Sequence, residues 1–294
     1  MPNADIVEAL LGAQRWLRGL SIVLRQREFS ERSLQCLLGL SICERALDLT
    51  QSEGLHELAS VISHQLASVR ETDISSCDSK LLLLVYYIMR KHRFPAHALE
   101  EYVEKIADAF RQCEGAYEDY VGEAIILSHL GLSEYPYREV CPAMHASGLE
   151  FLYGDLEATR ALYNRLCAAT RFGIRECPPV PQRRLVAYMT KVLLMDALNN
   201  YDLATGAMLL RVAAYLGLAR ERVIEDAQSF LQLQQHSDGR FGLYDAKAEE
   251  LRQAGLDPDL DLYLPLTVSC VWALAEIAIP GFRVFLLSPA CTEI

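Results

Sequence analysis

Apolar residues recur at helical spacing in one segment after another of this 294-residue chain. Residues 6–24 follow this period and so do residues 185–198, whereas no run of Val, Ile and Thr alternates with period two. Glycine or proline separates many of the segments, as expected of short helices that turn back on one another. The sequence therefore predicts an all-α protein built of helical hairpins, with no sheet.

Polar residues that flank the apolar segments predict where several helices begin. We expect Ser30 to cap the second helix, and Asp78 or Ser79 to cap the apolar helix 81–89. Residues 243–263 form the longest irregular-looking stretch, apart from a short helix within it. The other predicted helices span residues 55–69, 96–110, 149–169 (as a pair), 203–218, 246–254 and 266–277.

The most distinctive segment of the chain combines a helix with a sharp turn. Apolar residues recur at helical spacing over residues 223–231, so we expect a helix that ends near Gln235. Asp238 and Gly239 favour a turn, because Asp bonds nearby backbone amides and Gly tolerates positive φ. The chain is therefore expected to bend and bring Phe241 back towards the helix that it has just left.

The order of residues in this segment resembles the Gln-Trp repeat of squalene and terpene cyclases and of protein prenyltransferase β subunits. The resemblance covers about twenty residues. It rests on Phe230-Leu231, Gln235, Gly239 and Phe241. Phe241 stands where the repeat has Trp, and Asp226 stands where it has a basic residue. The resemblance implies an α/α toroid of helical hairpins, in which this motif ties an outer helix to its turn and carries no catalytic residue.

The tripeptide Leu-Gly-Leu occurs at residues 38–40, 130–132 and 216–218, and we expect each copy to end a helix. The spacing indicates a repeat of about ninety residues, or two hairpins, so that about six hairpins would fill the chain. The proline-rich connector that begins at Cys177 cannot be helical. We therefore predict a single toroid-like domain, residues 1–294, with a possible half boundary near residues 175–183.

Charge and cysteine content predict the compartment and exclude some partners. The nine cysteines are scattered without paired short spacings, which favours a reducing cytoplasm over a disulfide framework. The net charge of −11 argues against nucleic acid. The longest apolar run, residues 81–89, is too short to span a bilayer, and the N-terminus lacks the pattern of a secretory signal. Neither nucleic acid nor membrane is an expected partner.

A first group of polar residues lies between two predicted helices. Cys141 and His145 are four residues apart, with Pro142 between them at an expected helix start, so both can face the same way. A thiol beside an imidazole can act as nucleophile and base, although the same pattern also describes a capped helix. We assign substrate binding to Glu123 in this group. The candidate catalytic residues are His129, Tyr137, Arg138, Cys141 and His145.

A second group follows the turn, at residues 257–263. Its alternating carboxylates are similar to the aspartate-rich general-acid motif of class II terpene cyclases, but Leu260 stands where that motif needs a carboxylate. A solvated loop whose aspartates cap the next helix is the alternative. The candidate substrate-binding residues here are Asp257, Asp259, Tyr263 and Cys270.

Metal and cofactor sites are not expected. The related toroid families that hold zinc, the prenyltransferases and lanthionine cyclases, imply a cysteine and histidine ligand set, which Cys141, His145 and Cys270 could supply only by converging in space. The adjacent Cys-His pair of the lanthionine cyclases is missing. The common phosphate-loop, dinucleotide, metalloprotease and nucleophile-elbow motifs are also missing.

Two functions remain open from the sequence. The first is a metal-independent cyclase or tailoring enzyme that acts on a peptide or small apolar chain in a central cavity, with lanthionine-type thioether closure in natural-product biosynthesis as one version. The second is a non-catalytic helical-repeat protein that binds a peptide or a partner subunit, which includes a partner enzyme subunit. The first rests on analogy of fold.

Overall fold

The structure, a computed structural model, describes residues 4–48, 53–66, 74, 77–112, 121–133, 156–170, 172–173, 176–177, 183–279 and 282. These residues are largely helical and contain no strand, only an isolated bridge between Gln235 and Phe241. The prediction of an all-α protein is therefore confirmed. The helices are α1 (Ala4–Leu24), α2 (Glu31–Ala46), α3 (Glu53–Leu66), α4 (Ser79–Lys91), α5 (His97–Gln112), α6 (Val121–His129), α7 (Leu156–Thr170), α8 (Arg183–Asn199), α9 (Leu203–Tyr215), α10 (Arg222–Leu233), α11 (Asp245–Gln253) and α12 (Leu264–Ala278).

The predicted helix starts that fall among the described residues agree with the structure to within a few residues. Residues 149–155 of the helix pair predicted at 149–169 lie outside the described residues, and the rest of that range is the single helix α7. The Asp78 carboxylate accepts a hydrogen bond from the Leu81 amide at 2.7 Å, so it caps α4 as expected. Ser30 precedes α2 but its side chain makes no capping hydrogen bond. The short helix predicted at residues 246–254 is α11, Asp245–Gln253. The stretch 243–263 is otherwise more regular than predicted, because it also holds a π-helical turn, Asp259–Tyr263, that runs directly into α12.

The chain divides into two compact units. The first contains Met1–Val103 and Leu231–Ile279, and the second contains Glu104–Phe230 and Pro280–Ile294. Residues 175–183 fall inside the second unit, and the half boundary expected there stays a prediction. The first unit is thus built from two segments that are far apart in the sequence.

Helix α2 forms the centre of the first unit, where it packs against α1 and α12. A Cβ atom on Gly39 would lie 2.8 Å from Cγ2 of Val268 on α12 and 3.0 Å from Cδ1 of Leu17 on α1. Gly39 therefore permits close approach of three helices. It lies within α2, so the prediction that this Leu-Gly-Leu ends a helix is wrong.

The other two Leu-Gly-Leu sequences do end helices. Gly131 and Gly217 adopt φ angles of +73° and +75° after α6 and α9. In each case the amide of the following leucine donates to the carbonyl five residues earlier, at 2.9 Å, which is the Schellman arrangement. The same bond closes α4 and α8 with Arg93 and Tyr201 as the left-handed residues. The Leu-Gly-Leu sequences at residues 130–132 and 216–218 are therefore helix caps. Their presence does not by itself demonstrate a repeat of ninety residues.

One continuous helical stretch among the described residues, Asp259–Ala278, is long and apolar enough to cross a membrane by length and composition. However, 67% of its most apolar window is buried within the protein. Its packing against α1 and α2 accounts for its apolar composition.

Candidate functional site

The turn that follows α10 is held by side-chain and backbone hydrogen bonds within the first unit. The Gln235 amide nitrogen donates to the Ala9 carbonyl of α1 and to the Gly239 carbonyl of its own turn, both at 2.8 Å. The Phe241 side chain is fully buried, and its backbone amide donates to the Thr267 hydroxyl of α12 at 3.0 Å. We call residues 234–242 the clasp, because they join the end of α10 to both α1 and α12.

Two glycines allow the clasp to approach α1. Gly239 has a φ angle of +104°, and a Cβ atom there would lie 2.0 Å from the Gly12 carbonyl oxygen. A Cβ atom on Gly12 would in turn lie 3.1 Å from the Gln235 amide nitrogen. The residues that carry the Gln-Trp resemblance thus have a structural role. Gln235 hydrogen-bonds to two backbone carbonyls, Gly239 allows close contact with the backbone of α1, and Phe241 is buried in the core.

The three aspartates after the clasp all pair with arginines. Asp257 lies 2.8 Å from Arg27, in the loop after α1, and Asp261 lies 3.2 Å from Arg32 of α2. The third pair joins Asp259 to Arg240 of the clasp at 2.9 Å. These carboxylates fasten the π-helical turn to three other segments of the first unit, and each pair is partly exposed to solvent.

Asp257 also stabilises the local backbone, as the alternative interpretation of this segment required. Its other carboxylate oxygen accepts from the Asp259 amide at 3.1 Å, and its own amide donates to the Asp261 carboxylate at 3.1 Å. Such local bonds are typical of aspartates at helix starts. The acidic residues therefore contribute ion pairs and capping bonds to this turn.

Tyr263 lies fully buried beneath the clasp. The Arg240 guanidinium sits 4.3 Å from the centre of its ring, and the His236 ring meets it edge-on at 5.9 Å. Its hydroxyl has no hydrogen-bond partner among the described residues. Burial raises the pKa of this phenol, an effect that the nearby Arg240 charge partly opposes. The structure thus brings Asp259 and Tyr263 together through Arg240.

Cys270 lies apart from this cluster, fully buried within α12. Burial raises the pKa of its thiol well above the ordinary value, so it stays protonated at neutral pH. Burial raises the pKa of the Cys36 and Cys43 thiols on α2 in the same way. The prediction that Cys36 and Cys43 pack as small core residues is confirmed.

The first predicted group is described only in part. Glu123 is buried on α6, where Ala124 to Leu127 are also buried, and His129 ends this helix. The remaining four residues of the group lie outside the described residues. They are Tyr137, Arg138, Cys141 and His145. The convergence of Cys141, His145 and Cys270 therefore stays a prediction.

Sequence reasoning missed a buried arginine in the second unit. Arg211 of α9 is only 7% exposed, and its guanidinium donates to the Tyr215 hydroxyl at 3.0 Å. It also lies 5.0 Å from the centre of the Tyr163 ring on α7. Within the sequence, an arginine flanked by the apolar residues of α9 was the available signal.

An exposed apolar face on α8 was missed as well. Tyr188, Val192 and Met195 are 60%, 42% and 38% exposed, and their spacing of four and three residues places them on one side of the helix. The opposite side, which includes Val186 and Leu194, is buried. We call Tyr188, Val192 and Met195 the α8 stripe.

Among the described residues, no three His, Cys, Asp or Glu side chains are grouped so that they could hold a metal ion. Comparison with protein-family models, with curated proteins and with solved structures found no match for this chain.

Proposed function

We propose that the chain is a non-catalytic helical-repeat protein that binds a peptide or a partner subunit. The α8 stripe carries this proposal, because it presents three large apolar side chains to solvent along two turns of a helix. Anchors at positions i, i+4 and i+7 are the pattern by which an amphipathic helix docks into an apolar groove. Tyrosine and methionine are also enriched in protein interfaces.

The roles of the second candidate group support binding over catalysis. Asp257, Asp259 and Asp261 are engaged with arginines, and the Cys270 thiol is buried and protonated. A general acid or a nucleophile has to reach the reacting atom with the correct protonation state. These residues instead hold the first unit together.

The α/α toroid remains our proposal for the arrangement of the hairpins. It is supported by the clasp, in which Gln235, Gly239 and Phe241 make contacts that suit the structural role of the Gln-Trp repeat. An experimental structure would test the toroid, and an open superhelix in that structure would contradict it.

The binding proposal is tested with a fluorescein-labelled, leucine-rich amphipathic helical peptide as the probe. Anisotropy should rise on titration with the wild-type chain, and Val192→Glu should weaken the binding at least tenfold, because a charge would have to enter the apolar interface. Val223→Glu is the matched control, since Val223 is 37% exposed on a different helix. No binding by the wild type, or equal weakening by both variants, would reject this function.

A cyclase remains the second candidate because of α6. This helix places the buried Glu123 carboxylate and His129 just before the segment that contains Cys141 and His145. Buried carboxylates are enriched in functional sites. In thioether closure, a cysteine thiolate of the substrate adds to the β-carbon of a dehydroalanine and a proton is delivered to the α-carbon.

That reaction leaves the mass of the peptide unchanged and removes one free thiol. Incubation of a dehydroalanine peptide containing one cysteine, followed by thiol alkylation and mass spectrometry, therefore detects it. If the chain is a cyclase, the peptide should lose its free thiol when incubated with the wild type, and should lose it much more slowly with His145→Ala or His129→Ala. Thiol loss at the rate of a sample without protein would exclude this reaction.

A further inference from the structure

The charges at the two ends of α8 oppose its own dipole. Arg183 and Arg184 occupy the first turn, where the helix dipole is positive, and the last turns carry Asp196 and no basic residue. Charges usually have the reverse placement, with acids at the N-terminus and bases at the C-terminus. Both arginines are exposed, and Arg183 donates to the Leu216 carbonyl at 2.9 Å. At the other end the exposed Asp196 carboxylate accepts from the Asn200 side chain at 3.3 Å but has no cationic partner among the described residues. The helix therefore presents exposed charge that opposes its dipole on either side of the α8 stripe.

An antiparallel copy of the same helix would compensate both ends. It would place Arg184 beside the negative C-terminal end of the other helix, about one helical turn beyond Asp196, and the symmetric contact would repeat at the opposite end. A parallel partner would instead bring like charges together. The charge pattern thus specifies an orientation as well as a partner.

The α8 stripe is self-complementary in the same orientation. In an antiparallel pair centred near Val192, the two Val192 side chains meet at the twofold axis, and Tyr188 of each copy faces Met195 of the other. Sulfur–aromatic contacts of this kind are favourable. A twofold interface requires that residue i contacts residue j and that j contacts i, which this arrangement satisfies.

We propose that a second copy of this chain docks on the α8 stripe, with the two α8 helices antiparallel. This inference rests on the proposed binding function and names its partner. The contact consists of one helix face per chain, so the dimer is concentration-dependent rather than obligate.

Sedimentation velocity over a concentration series tests the self-association. The weight-average mass of the wild type should rise from the 33.0 kDa of one chain towards twice that value as concentration increases. Val192→Glu should remain a monomer, while the control Val223→Glu should behave as the wild type. A wild-type chain that stays at the mass of one chain at its highest soluble concentration would overturn the proposal.

Charge reversal tests the antiparallel orientation. Arg184→Glu alone would place a carboxylate at the negative C-terminal end of the partner helix and within about one turn of Asp196, and Asp196→Lys alone would place an ammonium group within about one turn of Arg184. Each single variant should therefore dimerise at least tenfold more weakly than the wild type. An equimolar mixture of the two variants should restore association, because the introduced glutamate would face the introduced lysine at one end of the interface, and Arg184 would face Asp196 at the other. Failure of the mixture to associate more strongly than either variant would overturn the antiparallel arrangement.

The peptide-binding experiment distinguishes the proposed binding function from the proposed self-association. A wild-type chain that is monomeric but binds the amphipathic peptide through Val192 would exclude self-association and retain the binding function. A chain that neither self-associates nor binds the peptide would exclude both. Circular dichroism and thermal unfolding of each variant show that a loss of association does not reflect a loss of folding.

Discussion

The segment from the clasp to Tyr263 and the helix α8 place opposite kinds of side chain at the surface. In the first, the aspartates bind arginines and Tyr263 is buried, so polar groups serve internal contacts. In the second, Tyr188, Val192 and Met195 are exposed although they are apolar. The comparison shows that the chemical type of a residue does not identify a functional site until its contacts are known. In this chain the acidic cluster makes ion pairs within the first unit, and the apolar face of α8 is exposed to solvent.

Gly239→Ala should have the largest effect on stability. The added Cβ would collide with the Gly12 carbonyl and would also occupy an unfavourable φ of +104°. We expect a loss of about 3 kcal/mol or more in the free energy of unfolding, measured in urea. Gly255→Ala is the control, because its φ of +76° is also positive but no atom lies within 4 Å of the added Cβ. It should cost about 1 kcal/mol. Equal losses would show that the clasp does not press against α1.

Gln235→Ala should rank second, because it removes both hydrogen bonds of the clasp side chain. The expected loss is about 1–3 kcal/mol, since two backbone carbonyls lose their partner. The exposed Gln253 provides the comparison, and Gln253→Ala should change the free energy of unfolding by less than about 0.5 kcal/mol. A loss for Gln235→Ala within that range would show that the hydrogen bonds of the clasp do not stabilise the first unit.

Asp259→Asn should have a smaller effect, because its ion pair with Arg240 is partly exposed. We expect a loss of about 1 kcal/mol or less, which should shrink as salt is added. Peptide binding should be unchanged in the anisotropy assay. A large loss of binding with normal stability would instead return Asp259 to the substrate-binding role predicted from the sequence.

Tyr263→Phe should leave stability at neutral pH unchanged or slightly higher, because the deleted hydroxyl is buried without a partner among the described residues. The pH dependence is more informative. Burial raises the folded-state pKa of Tyr263, so its contribution is fully present below the unfolded value near 10.0 and is lost as pH rises above it. Denaturation between neutral and alkaline pH should show a steeper loss for the wild type than for Tyr263→Phe. Identical profiles would contradict a buried, unionised phenol.

Val192→Ser should have the smallest effect on folding, within about 0.5 kcal/mol, because the side chain is already 42% exposed. The same change should weaken association. A strongly destabilised variant would mean that the α8 stripe packs within the chain, which would abolish the contrast between the two regions.

Local features could be predicted because they depend on residues that are close together in the sequence. Helical periodicity located α4, Asp78 marked its start, and Asp238 with Gly239 marked the turn of the clasp. The role of Gly39 was predicted wrongly. The same tripeptide can end a helix or allow a neighbouring helix to pack closely, and only the tertiary contacts distinguish the two roles.

Long-range partners could not be predicted in this way. Asp257 and Arg27 are 230 positions apart, and no local pattern records that they meet. The exposure of the α8 stripe likewise depends on which face of α8 packs against α9. Gln235 and Phe241, on which the resemblance to the Gln-Trp repeat rests, contact Ala9 and Thr267, and these partners could be identified only from the structure.

The bond from Gln235 to Ala9 joins residues 226 positions apart, which has a consequence for synthesis on the ribosome. Translation produces α1 well before the residues that cover it, because Gln235 follows Ala9 at a large distance in the chain. Until those residues emerge, the nascent chain carries uncovered leucines on α1 and α2, which are surfaces that chaperones recognise and that promote aggregation. Yield in the cell should therefore depend on how quickly residues 231–279 follow α1 and α2 out of the ribosome.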